Sequence, residues 1–402
     1  MKQMGNKLEL IEKTLARGVE NIYPSKEMLR KALLGGKKLA FYLGADPTGP
    51  HLHLGTATNL LLLKRLQELG HRIIFLIGDM TARIGDPTDK LSPRQPLTEK
   101  QVQENLKTFK SQVGKVISFT GKNPATIKFN STWYRKMGFA DILDLASRIT
   151  VQQMIARDMF QERLKSGKPI GVHEFLYPLM QGYDSVAMNV DGEIGGTDQT
   201  FNMLVGRDLM RALKGKEKFV ITTKLLVDPK TGKKLMNKSE GGMINLDDGP
   251  EDMFGKVMAI DDENMTLIAD FSTDMTESRL LKLKSDLSNK RNPRDIKMEI
   301  AFEVVSLYHS PALAKKAKEA FINTFSKREV PAEMPSITLP QKKMRLTEFL
   351  LKAGVPSKSE ARRLLQQGAI QVNQETVPAD DEMIFASGDI VKIGKKRFVK
   401  IR

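Results

Sequence analysis

The chain contains no cysteine, which excludes disulfides and thiolate metal sites, and its five scattered histidines make a structural zinc site a poor expectation. Long apolar runs are missing as well. The leucines at 60–63 are closed off by Lys64 and Arg65, far short of the roughly 20 residues a membrane helix needs. The first residues carry Lys2, Lys7 and Glu9 with no apolar stretch leading to a small-residue cleavage site, so no export signal is expected. No low-complexity tract points to extensive disorder. These absences favour a cytoplasmic globular protein.

What is present fits that class. A composition 40% hydrophobic and 28% charged is that of a globular protein, and 402 residues are too many for one core. Two or three domains of roughly 100–200 residues are expected. The formal net charge of +16 makes an anionic macromolecule such as RNA or DNA a plausible partner.

Residues 39–43 (Leu-Ala-Phe-Tyr-Leu) read as a buried strand, residues 54–69 as a helix closed by Gly70, and residues 72–78 as a second strand. Strand, helix, strand with a right-handed crossover predicts an α/β fold with a parallel sheet. Residues 93–187 read as mostly helical: Thr98 and Gln101 make a capping box, and Ile142, Leu145 and Ile149 recur at helical spacing. A strand at 218–222 leads into a Gly- and Lys-rich loop at 228–242, which is expected to separate two domains, and helical patterns continue to about residue 325. Pro331, Pro335 and Pro340 mark residues 326–343 as an extended linker. Beyond it lies a small basic module, with 13 Lys or Arg against 7 Asp or Glu from Lys342 onward. There Ser357 and Glu360 suggest a capping box, and residues 370–372 and 390–393 read as short strands.

The turn Asp46-Pro47-Thr48-Gly49-Pro50-His51-Leu52-His53-Leu54-Gly55 follows the first strand and opens a helix. Strand ends and a helix N-terminus converge at such a turn, where free N–H groups and the helix dipole suit phosphates. His53 and Thr56 are expected in the first helical turn, facing a triphosphate, with Gly55 allowing close approach.

At these residues the chain resembles the class I aminoacyl-tRNA synthetases. Their His-x-Gly-His motif is matched by His53-Leu54-Gly55-Thr56, with Thr56 replacing the second histidine, and their Lys-Met-Ser-Lys-Ser motif by Lys234-Leu235-Met236-Asn237-Lys238-Ser239. Four further segments resemble the bacterial-type tyrosyl-tRNA synthetases: Tyr42-Leu43-Gly44-Ala45-Asp46-Pro47-Thr48, Ile84-Gly85-Asp86-Pro87-Thr88, Tyr177-Pro178-Leu179-Met180-Gln181-Gly182-Tyr183-Asp184 and Gly195-Gly196-Thr197-Asp198-Gln199. The C-terminal module resembles the S4 RNA-binding domain at Arg345-Leu346-Thr347-Glu348-Phe349-Leu350 and Ser359-Glu360-Ala361-Arg362-Arg363-Leu364.

The resemblance implies a Rossmann-like catalytic domain over 1–228 with a helical insertion at about 93–187. It further implies the lysine loop and a helical anticodon-arm domain over 229–325, the linker 326–343 and an S4 domain over 344–402. It implies that tyrosine and ATP give tyrosyl-adenylate and pyrophosphate, and that tyrosine then passes to the 3′ end of its tRNA. Activation of this kind needs positioning and charge stabilisation more than acid–base groups. By position, His53, Thr48, Lys238, Lys90 and Arg94 would be catalytic, with Lys233 or Lys234 assisting. Tyr42 and Asp184 would meet the substrate phenol. Asp86, Tyr177 and Gln181 would meet its ammonium group, with Gln199 also in the tyrosine site. Asp46, His53, Gly55, Thr56, Gly196, Asp198, Lys238 and Ser239 would bind ATP, and Arg345, Lys358, Arg362 and Arg363 would bind RNA phosphates. Mg²⁺ is expected with ATP and no protein metal site is required. A homodimer touching through the helices at 139–160 is also implied. The competing expectations are a tryptophan-specific relative and a non-catalytic RNA-binding paralogue.

Overall fold

The computed structural model describes residues 2–88, 97–236, 242–289, 291–325, 334–339, 343–373, 375–377, 380–394 and 397–402. The chain divides into two compact units, Met1–Ala317 and Lys318–Arg402. Among the described residues no helix is long and apolar enough to cross a membrane.

The first unit is built on a six-stranded sheet of β1 (Val19–Tyr23), β2 (Ala40–Ala45), β3 (Arg72–Ile77), β4 (Thr126–Phe129), β5 (Gly192–Gly196) and β6 (Phe219–Thr223), in the order β1-β6-β5-β2-β3-β4. All neighbours are parallel except the edge pair β1–β6. The expected strand, helix, strand unit is present. Tyr42 lies opposite Ile74 in the β2–β3 ladder, and the intervening helix Leu54–Glu68 ends at a left-handed Gly70, φ +88°. Continuous apolar runs make β2 and β3 buried strands: Phe41, Tyr42, Phe75 and Ile74 are each at most 1% exposed.

Three strands of this sheet were not read from the sequence: the edge strand β1, β4 and β5. β4 lies inside the stretch read as mostly helical and extends the sheet beyond β3. β5 carries three glycines, residues of low strand propensity, yet it occupies the sheet centre between β6 and β2. The order reverses at β2: the chain goes outward to β3 and later returns to β5 on the other side. In open parallel sheets ligands bind outside the carboxyl ends of strands at such a reversal.

The described part of the lysine loop, residues 228–236, and the helices after it to Ala317 belong to the first compact unit. The second unit holds β7 (Ser336–Ile337), β8 (Lys343–Arg345), β9 (Ile370–Val372), β10 (Glu375–Thr376), β11 (Glu382–Ile384), β12 (Ile390–Ile393) and β13 (Arg397–Ile401). Their order is β10-β9-β12-β13-β7, with β11 and β8 as a separate pair. The helices Leu346–Lys352 and Lys358–Gln366 pack on a core that includes Phe349, Phe385 and Val391. Ser357 caps the second helix from the Glu360 amide at 3.1 Å, while the Glu360 carboxylate turns to Arg363 at 2.7 Å.

Candidate active site

β5, β2 and β3 are neighbours in the sheet, so their carboxyl ends lie side by side. Asp46 follows β2, Gly78 follows β3 and Gln199 follows β5. The Asp46 carboxylate accepts from the Thr81 hydroxyl at 2.7 Å and from the Tyr177 hydroxyl at 2.8 Å. Gly78 is obligatory beside it, because a Cβ there would lie 2.0 Å from Asp46 Oδ1. The sequence places Asp46 among the ATP residues, and the fold puts its side chain on Tyr177. Asp86 accepts from Gln199 Nε2 at 2.6 Å and from the Thr88 hydroxyl at 2.7 Å. Arg157, over the Phe201 ring, donates to that Thr88 hydroxyl at 2.9 Å.

Deeper in, Asp184 is 3% exposed. Its Oδ1 accepts from Trp133 Nε1 and the Tyr134 hydroxyl, each at 2.9 Å, and its Oδ2 from Asn130 Nδ2 at 3.3 Å. Burial raises the carboxyl's pKa well above the ordinary range, and these three donors oppose the rise. Tyr42 shares a hydrogen bond of 2.9 Å with Ser185 Oγ, the neighbour of Asp184. Burial, with the charges of Glu193 and Asp184, pushes the Tyr42 phenol upward, so it stays a neutral O–H. Tyr177 is raised in the same way, by burial first and then by Asp46.

The turn at residues 46–55 is held from two sides. Asn105 Nδ2 donates to the Pro47 carbonyl at 2.8 Å, and Gln112 bonds both the Pro50 carbonyl at 2.8 Å and the Leu52 amide at 2.7 Å. On the other side, Leu54 donates to the Ile244 carbonyl at 3.0 Å and Leu246 to the Leu52 carbonyl at 2.8 Å, with His53 bridged to Asn245. The strand-like residues 244–246 follow the lysine loop directly, so the two hallmark motifs are brought together by backbone pairing. Thr48 is exposed, its amide bonded to the Asp46 carbonyl at 2.8 Å.

His53 corrects its expected place. It stands before the helix as its cap, because its Nδ1 accepts the Gly55 amide at 3.1 Å, and its backbone carbonyl accepts from Thr56 at 2.8 Å. Gly55 makes room for this ring: a Cβ there would lie 2.8 Å from it and 3.5 Å from Met236 Cβ in the lysine loop. In the same lysine loop, Lys234 Nζ pairs with Asp198 Oδ2 at 2.8 Å. Gly196 abuts the same residue: a Cβ on it would lie 2.5 Å from Asp198 Oδ1. Lys90, Arg94, Lys238 and Ser239 lie outside the described residues. In the second unit, Arg345, Lys358, Arg362 and Arg363 are all exposed.

Sequence reasoning missed Asn130, Trp133, Tyr134, Ser185, Glu193, Asn202 and Lys218. Ser185 adjoins a motif residue and could have been flagged, but Asn130 and Lys218 meet Asp184 and Ser185 only through the tertiary fold.

Comparison with known proteins agrees with this geometry. Residues 35–326 match the model of class I tRNA synthetases (W and Y), and residues 327–401 match that of the tyrosine–tRNA ligase SYY-like C-terminal domain. The tyrosine–tRNA ligase of Moorella thermoacetica is 41% identical, covering 96% of this chain and 94% of that one. That of Francisella tularensis is 41% identical, covering 100% and 99%. For the fold alone, a C-terminally truncated mitochondrial tyrosyl-tRNA synthetase from Coccidioides posadasii aligns with a TM-score of 0.63 at 24% identity, covering 79% of this chain and 93% of that one. The tyrosine-complexed synthetase from Archaeoglobus fulgidus aligns at 0.58 and 22%, covering 77% and 99%. With its sheet reversal, paired hallmark motifs and full-length relatives, the chain belongs to the tyrosine–tRNA ligase family of class I tRNA synthetases.

Proposed function

We propose that the chain is a cytoplasmic, homodimeric tyrosine–tRNA ligase that uses ATP with Mg²⁺ and delivers tyrosine to its tRNA. The observation that carries the reading is that buried Asp184 is joined through Asn130 and Thr81 to Asp46 at the carboxyl end of β2, with Tyr42 buried on that strand, Tyr177 on Asp46, Gln199 on Asp86, and the His53 turn following Asp46 in the chain.

In this reading the substrate phenol meets Tyr42 and Asp184, and its ammonium group meets Asp86, Tyr177 and Gln181, with Gln199 bracing Asp86. The substrate carboxylate attacks the α-phosphorus of ATP, a P–O bond forms, and the α–β bridge breaks to release pyrophosphate. The 3′-terminal ribose hydroxyl of the tRNA then attacks the activated carbonyl, losing its proton as AMP leaves. His53 donates to the phosphates. Lys238, Ser239, Lys90 and Arg94 supply further contacts to the triphosphate, with Thr48, Gly55 and Thr56 at the turn and Gly196 and Asp198 at the ribose. The work of the protein is placement and charge stabilisation. Arg345, Lys358, Arg362 and Arg363 would engage RNA phosphates, with affinity that falls as salt rises. Phe139, Leu143 and Val151 are 75%, 55% and 57% exposed and supply an apolar face for a second copy, whereas Phe160 is fully buried in its own unit.

The test is amino-acid-dependent exchange of labelled pyrophosphate into ATP without tRNA, with tyrosine, tryptophan and phenylalanine in parallel. Exchange with tyrosine alone is expected. Exchange with tryptophan would favour the tryptophan-specific alternative. Silence with all three would leave a non-catalytic RNA-binding role, the reading that Thr56 and Leu235 in the hallmark motifs favour.

A further inference from the structure

Behind the tyrosine site lies a buried ion pair that none of the motifs includes. Glu193 and Lys218 are 2% and 0% exposed and are hydrogen-bonded to each other. Lys218 Nζ also donates to Ser185 Oγ at 2.9 Å, and Ser185 Oγ lies 2.9 Å from the Tyr42 hydroxyl. On the other side Glu193 Oε1 accepts from Gln181 Nε2 at 3.0 Å. Asn202 Nδ2 then donates to Gln181 Oε1 at 3.0 Å and to Gln199 Oε1 at 3.1 Å, and Gln199 Nε2 donates to Asp86 Oδ2 at 2.6 Å. One unbroken set of hydrogen bonds therefore joins Tyr42 to Asp86.

The charges fix the sense of this set. A lysine ammonium only donates and an ionised glutamate only accepts. Gln181 must turn its NH₂ toward Glu193, which leaves its carbonyl oxygen facing Asn202. The arrangement holds although Asn202 Oδ1 has no partner among the described residues. Reversing the Asn202 amide would set its oxygen against the oxygens of both Gln181 and Gln199. An ammonium group needs an acceptor, and a reversed Gln181 would offer it N–H groups.

A buried ion pair is a weak source of stability. An apolar pair of similar volume commonly does as well or better, whereas removing one partner leaves an uncompensated charge. A role other than stability accounts for this one. We propose that Glu193 and Lys218 are positioning residues for tyrosine recognition, fixing Gln181 as an acceptor at the ammonium end and the Tyr42 hydroxyl at the phenol end through one network. The inference rests on the functional reading above.

The experiment compares the full chain with the double variant Glu193→Met with Lys218→Met and with Glu193→Gln. It measures the melting temperature, KM for tyrosine and for ATP in pyrophosphate exchange, and the preference for tyrosine over phenylalanine. The double variant is expected to melt no lower than the parent, with KM for tyrosine raised about tenfold or more, the usual scale for freeing a buried hydrogen-bonding group. KM for ATP should stay within about twofold, and the tyrosine preference should fall. A folded double variant with the parent's tyrosine KM and preference overturns the proposal. If the double variant does not fold, Glu193→Gln decides: Lys218 only donates and so holds the new amide oxygen, which turns the new NH₂ toward Gln181 and against its fixed sense, so the same rise is expected, and an unchanged tyrosine KM overturns the proposal. The parent is the control for the underlying reading, because a parent that exchanges nothing with tyrosine defeats that reading, whereas an active parent matched by its variants defeats only this inference.

Discussion

The imidazole of His53 rests on the backbone of Gly55, its Nδ1 accepting the Gly55 amide at 3.1 Å. A neutral ring that accepts at Nδ1 carries its proton on Nε2, so the cap presents a donor, which is what a phosphate oxygen needs. A methyl group on Gly55 would stand 2.8 Å from the ring. Gly55→Ala is expected to displace the imidazole and slow adenylate formation about 10²-fold, the scale of a 1 Å misplacement. Tyrosine KM should not change. Single-turnover measurement of the adenylate checks this, and the same assay should show His53→Ala losing far more rate than Thr56→Ala. Equal losses would mean that the two roles are wrongly assigned.

Asp184 is surrounded by donors, with Trp133 and Tyr134 on Oδ1 and Asn130 on Oδ2. An asparagine cannot satisfy that shell, since in either orientation its NH₂ meets another donor. Asp184→Asn is predicted to lower kcat/KM for tyrosine at least about tenfold through the lost acceptor. KM for ATP should hold, and the gap between tyrosine and phenylalanine should narrow. A variant that kept the full gap would remove Asp184 from phenol recognition.

The legible part of the molecule was the part whose signal is local. The apolar runs of β2 and β3 and the Leu54–Glu68 helix between them declare themselves by period and by Gly70. β5 does not, because Gly192, Gly195 and Gly196 lower strand propensity and are there to admit Phe41, Met203 and Asp198 at distances that only the fold creates. The site divides in the same way. Motif residues such as Asp86 and Gln199 could be named from the sequence, and they meet at 2.6 Å. Glu193 and Lys218 could not, since a lone charge in a strand or before one reads as solvent-facing until its buried partner is known.

His71 offers a pH test of stability. Burial, reinforced by Lys7 and Lys38 and opposed by Asp191, lowers its pKa from 6.5 to about 4, and its Nδ1 accepts the Leu39 amide at 3.3 Å. The unfolded chain therefore takes up this proton below about pH 6.5, while the folded protein resists it until about pH 4. The contribution is complete above that window and declines as pH falls through it, by about 2 kcal/mol between pH 7.5 and 5. Urea unfolding of the parent and His71→Gln across that range should show the variant with a smaller pH slope. Identical slopes would place the titration elsewhere.

The exposed face of Phe139 and Leu143 predicts self-association. Phe139→Asp combined with Leu143→Asp should convert the proposed homodimer to a monomer in sedimentation equilibrium while leaving the melting of the isolated fold little changed, because surface substitutions usually shift stability by within about 0.5 kcal/mol. A parent that sediments as a monomer would end the dimer reading.

The pairing of Leu54 with Ile244 and of Leu246 with Leu52 also sets an order of completion along the chain. Every residue linking Tyr42 to Asp86 has been synthesised once Lys218 is in place, whereas the turn that would grip ATP lacks its second support until Leu246. A chain emerging from the ribosome thus has all the parts for its amino-acid pocket before those that steady its nucleotide turn.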